Sequence, residues 1–179
     1  MDAGMFRSYL WGSMQNAFIS TAKVSGAALA LTMLLGGCLK TEQFPVEPSI
    51  AFKSYDQATE PARLTITFTD GDGDIGLNQG DTLAPFNPGS TWYHNFFVDY
   101  YKMQNGAWEL QNFTLPLYYR IPVITPTGQN KALQGDIAVD IANQVLPQIP
   151  GDTVRFSVRI ADRALHESNT VFTDAIVVE

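Results

Sequence analysis

Three carboxylates stand at alternate positions in Phe68-Thr69-Asp70-Gly71-Asp72-Gly73-Asp74-Ile75-Gly76-Leu77, with glycine between them. Glycine lets the backbone turn tightly, so that several hard oxygens converge on one hard cation, and calcium is the natural candidate. Three carboxylates within five residues repel one another unless a cation or an arginine neutralises them, and Arg163 is the arginine the sequence offers. The competing expectation is a solvated Asp-Gly turn, with Asp162 paired to Arg163 or Arg159.

The spacing of Asp70, Asp72 and Asp74 resembles the opening of an EF-hand loop, and Asp81 falls twelfth. Ile75 occupies the sixth position, where that loop requires glycine, and the flanking segments are strand-like rather than helical. An EF-hand is therefore rejected and a calcium loop of another kind is expected.

Other chemistry finds little support. His94 and His166 are the only histidines, Gly-x-Ser-x-Gly is absent, and neither His-x-x-x-His nor a cysteine pair is present. Asp99 and Glu109 are conceivable as a glycosidase carboxylate pair, but charges on the solvent face of strands explain them equally simply. A non-catalytic protein is expected. Trp92, Tyr93, Phe96, Phe97, Tyr100, Tyr101, Trp108, Tyr118 and Tyr119 form an aromatic-rich region. Alternation sends one set to the core and leaves another, Phe97 and Tyr101, for packing or for stacking on a glycan.

The elements that must position these residues read as strands. In residues 64–69 the apolar side chains fall on one face and three threonines on the other, and residues 154–160 repeat the pattern. Less regular candidates are 50–55, 94–102, 108–113, 118–124, 136–141 and 170–178, with one helical turn at 142–146. Asn105-Gly106 is a hairpin signal, Pro126-Thr127-Gly128 and Pro150-Gly151-Asp152 mark turns, and Pro116 and Pro122 confine their segment to a sheet edge.

About seven to eight short strands predict an all-β fold, an antiparallel Greek-key β-sandwich over residues 50–179, with a β-barrel as the alternative. The strand order resembles immunoglobulin and fibronectin type III domains. In such a sandwich the loop after the second strand and the loop after the penultimate strand lie at one end, so Asp162, with Glu167 or Asn169, is expected to complete a cation site begun by Asp70, Asp72 and Asp74. That arrangement resembles the calcium sites of cadherin-type domains.

Lys23 precedes an apolar stretch at residues 24–35, and Gly36 and Gly37 lead into Cys38. This is the order of a secretory signal, and the 14 residues 24–37 fall short of the roughly 20 that span a bilayer. Leu35-Gly36-Gly37-Cys38 resembles the bacterial lipobox, which implies a signal peptide at 1–37, lipid on Cys38 and a flexible tether at 38–49. The alternatives are an uncleaved anchor or an ordinary signal with an incidental cysteine. A start at Met14 would bring the signal to 24 residues, within the usual length.

Processing before Cys38 removes 37 of the 179 residues and leaves 142, which carry 17 acidic and 9 basic side chains, a net charge of −8. Such a balance argues against nucleic acid as a partner. Cys38 is the only cysteine, so no internal disulfide supports the fold. The chain resembles small Gram-negative envelope lipoproteins. With Leu39 rather than Asp after the cysteine, that resemblance implies the outer membrane, with an envelope protein or, alternatively, a glycan in a nutrient-uptake system as partner.

Overall fold

The computed structural model describes residues 43–124, 130–142, 146–147 and 149–179. The expected signal peptide, Cys38, the Pro126-Thr127-Gly128 turn and most of the suspected helical turn at 142–146 lie outside the described residues. Among these residues the chain forms β1 (Ser49–Asp56), β2 (Ala62–Asp70), β3 (Phe96–Gln104), β4 (Ala107–Gln111), β5 (Leu117–Tyr119), β6 (Leu133–Ile141), β7 (Thr153–Ile160), β8 (Val171–Phe172) and β9 (Ile176–Val177), with one 3-10 turn at Thr91–Tyr93.

Two antiparallel sheets result. One has the order β1-β2-β6; in the other, β3 carries β4 and β5 along one edge and β7 along the other, and β7 in turn pairs with β8 and β9. The chain changes sheet between β2 and β3, between β5 and β6 and between β6 and β7, which gives an antiparallel β-sandwich and not a closed barrel. Among the described residues β5 pairs only with β3, in keeping with the prolines at 116 and 122 on either side of it.

Alternation explains the core. Leu64, Ile66 and Phe68 of β2, Ile137, Val139 and Ile141 of β6, Phe96, Val98 and Tyr100 of β3, and Val154, Phe156, Val158 and Ile160 of β7 all join one buried cluster. Side chains of this size each contribute about 1.5–3 kcal/mol on burial. The β3–β4 hairpin turns on Asn105 and Gly106, with φ of 51° and 81°, the left-handed pair a tight two-residue hairpin needs.

Three segments differ from expectation. The strand expected at 118–124 ends at Tyr119, because beyond it the chain pairs with the connection after β2: Leu77 N–H donates to the Ile121 carbonyl at 2.8 Å, and Ile124 N–H to that of Ile75 at 3.2 Å. The strand expected at 170–178 is broken in two. Thr173 takes the Phe156 N–H on its side-chain oxygen at 3.1 Å, so a side chain replaces one rung of the ladder. The stretch expected to be free tether meets the domain by Phe44 and Pro45, whose carbonyls face Gly71 closely.

Candidate metal centre

Asp70 is the last residue of β2, and alternation turns its side chain inward with Leu64, Ile66 and Phe68. It is fully buried, at 0 % exposure. The connection then folds back on itself: Asp70 Oδ2 accepts the Asp74 N–H at 3.0 Å, and Ile75 and Leu77 sink into the interior. Asp70, Asp72 and Asp74 thereby bring carboxylate oxygens within 4.8 Å of one another. Oδ1 of each is buried without a hydrogen-bond partner.

Buried carboxylate oxygens without donors are costly, and the titration of the group reflects it. Burial, then the charge of Asp72, pushes Asp70 up to about 6. Burial together with Asp162 and Asp72 also raises Asp74, partly offset by the backbone amides of Arg163 and Ala164. Arg163 does not neutralise the cluster; its guanidinium pairs with Asp81, whose carboxyl it holds below the usual range. A donor set of three carboxylates fits a hard divalent cation such as calcium, which takes six to eight oxygens.

The loop after β7 lies at the same end, as expected, since the Arg163 N–H donates to the Asp74 carbonyl at 3.3 Å. Its expected ligands are placed otherwise. Asp162 is buried within electrostatic reach of Asp70 and Asp74, but its Oδ1 accepts the His166 N–H and its Oδ2 meets His166 Nδ1, both at 2.8 Å. That contact raises the pKa of His166. Glu167 pairs with Arg159 at 2.9 Å, and Asn169 binds the backbone of Ile50. Asp162 thus pairs with neither Arg163 nor Arg159. Asp81, the twelfth residue, is drawn away by Arg163 and by the Asn78 N–H.

Asp99 and Glu109 cannot act as a carboxylate pair. Glu109 lies opposite Lys102, which shares the face of Tyr100, while Asp99 is on the other face near Ser157 and Tyr118. Of the outward aromatics, Phe97 is 1 % exposed beneath Arg159, whose guanidinium is 4.3 Å from its centroid, and Tyr101, Trp108 and Tyr118 are half-buried. Phe97 and Tyr118 meet at 78°, His94 and Tyr118 at 65°, and Tyr101 and Phe172 at 62°. Steeply inclined rings of this kind do not make a flat platform for a sugar.

Two positioning residues carry no sequence signature. Asn95, 2 % exposed, ties the ends of β5 and β7 together, and Arg155 stacks its guanidinium between Trp108 at 4.4 Å and Phe172 at 4.3 Å. No protein-family model, curated protein or solved structure matches the chain.

Proposed function

We propose that this protein is a lipid-anchored, non-catalytic module of the cell envelope whose β-sandwich is stabilised by calcium. One observation carries the calcium reading: Asp70 is fully buried with an unpartnered oxygen, in a group of three carboxylates with which no arginine among the described residues forms an ion pair. Asp70, Asp72 and Asp74 would hold the ion, and Asp162 would add to the negative field around it. A bound divalent ion supplies the missing partners and cancels the mutual repulsion. The anchor rests on Leu35-Gly36-Gly37-Cys38, whose resemblance to the lipobox supports lipid on Cys38, and Leu39 in place of Asp supports the outer membrane as its destination.

Calcium should raise the melting temperature of the chelated protein, because an ion that binds only the folded state adds RT ln(1 + [Ca]/Kd) to its stability. An unchanged melting temperature in millimolar calcium would reject the site. Palmitate incorporation in a bacterial host tests the anchor independently: label should enter the wild-type chain and be lost in Cys38→Ser.

A further inference from the structure

β1 runs antiparallel to β2 with Ser49 opposite Thr69, so the chain enters the domain beside Asp70. Immediately before β1, the carbonyls of Phe44 and Pro45 lie against Gly71, where an added Cβ would fall 2.3 and 2.5 Å from their oxygens. Gly71 is thus the residue on which the incoming segment rests, and it sits between two of the three carboxylates. A third segment closes on the same place. Asn169 holds the backbone of Ile50 through both atoms of its amide, Asp74 receives the Arg163 N–H, and His166, bound to Asp162, feels the charges of Glu47 and Asp72.

We propose that the cation site is a clamp, in which a divalent ion on Asp70, Asp72 and Asp74 fixes the entering segment around Phe44–Glu47 and the loop 162–169 against the end of β2. The inference rests on the calcium reading above. With the site unoccupied, repulsion among the carboxylates loosens the loop on which both segments lean; with the ion bound, the loop is rigid and both segments are held. Phe44 lies six residue steps beyond Cys38, a contour length of at most roughly 20 Å. Whether the base of that stretch is fixed or free decides how firmly the domain is oriented with respect to an anchor on Cys38.

Hydrogen exchange of the full chain in detergent, with calcium or chelator, tests the clamp, and calorimetry on the same sample reports binding. The expected result is binding, with slower exchange at Phe44, Val46, Glu47 and Ser49 and across 162–169 as well as 70–76. At calcium 100-fold above its dissociation constant, the slowing reaches about 100-fold where opening requires release of the ion. Binding with slowing confined to 70–76 would overturn the clamp and leave the calcium site intact. Absence of binding would overturn both. Where calorimetry shows that Gly71→Ala binds calcium, the slowing at 44–49 should vanish, and its persistence there would also overturn the clamp; where that variant does not bind or does not fold, the wild-type pattern decides.

Discussion

Asn169 grips both backbone polar groups of Ile50: its Nδ2 donates to the Ile50 carbonyl at 2.9 Å and its Oδ1 accepts the Ile50 N–H at 2.8 Å. One side chain from the loop after β7 therefore does for β1 what a neighbouring strand would do, and joins the two sheets at the end where the chain enters. Asn169→Ala should cost about 1–2 kcal/mol, since two hydrogen bonds are lost at a site water can partly reach. Asn169→Asp should cost about as much, because it loses the donor and sets a carboxylate against the Ile50 carbonyl. Urea unfolding at neutral pH measures both, and a change within error for either would show that β1 is held without this contact.

Replacing Asp70 by Asn separates the metal from the fold. The amide oxygen can still accept the Asp74 N–H, while the buried charge disappears. In chelator at pH 7.5 the Asp70→Asn protein should therefore melt higher than wild type, and the rise produced by calcium should be mostly lost. A variant that melts lower in chelator and keeps the full calcium response would show that the ion sits elsewhere.

Protons compete with the ion at the same oxygens. The folded-state pKa of Asp70 is about 6, above its ordinary value of 3.8, so its contribution to stability is complete below about 3.8 and is lost as pH rises through about 6. Asp74 is raised too and acts in the same direction. The chelated wild-type protein should accordingly lose stability relative to Asp70→Asn between pH 4.5 and pH 7, measured as the difference in melting temperature at each pH. Calcium should reverse the loss, with a stabilising shift that grows with pH across the same window. A calcium shift independent of pH would mean that Asp70 is not a ligand.

Gly76 illustrates how tightly the connection after β2 is seated. Its φ is +106°, and an added Cβ would lie 2.2 Å from the Pro122 carbonyl oxygen, whereas Gly80 has nothing within 4 Å of the same position. Gly76→Ala should destabilise the domain by about 1–3 kcal/mol, and Gly80→Ala should leave it within about 0.5 kcal/mol of wild type. Equal effects in chemical denaturation would contradict the seating of 75–77 against 121–124.

Legibility in the sequence followed the range of the interaction. β2 and β7 announce themselves because period-two alternation is local, and Asn105-Gly106 because a two-residue turn needs left-handed backbone. The cluster at Asp70, Asp72 and Asp74 is visible for the same reason, and the strand order then brings the loop with Asp162 to the same end. Which polar group bonds which is a different matter. Asp162, Glu167 and Asn169 are equally plausible ligands along the chain, and only the packed structure commits them to His166, Arg159 and Ile50. Thr173 breaks the last strand through one hydroxyl, a contact across 17 residues that no periodicity encodes.

Asn95 is the strongest case of such a hidden contact. It lies just before β3, and its backbone N–H donates to the Tyr119 carbonyl at 3.1 Å while its own carbonyl accepts the Ala161 N–H at 3.0 Å. Its side chain takes up the next residue along: Oδ1 accepts the Ile121 N–H at 2.6 Å and Nδ2 donates to the Ile121 carbonyl at 3.4 Å. Ile121 is buried, so Asn95→Ala would leave its N–H unpaired in the interior and weaken the rung that seats Leu77 on Ile121. The cost should be about 1–3 kcal/mol, that of one buried donor left without a partner, since the Ile121 carbonyl still accepts the Leu77 N–H. Asn95→Asp should recover part of it, because a carboxylate still accepts the Ile121 N–H but cannot donate. Guanidinium unfolding with an unchanged slope would give both values, and an alanine variant within about 0.5 kcal/mol of wild type would show that water replaces the amide there.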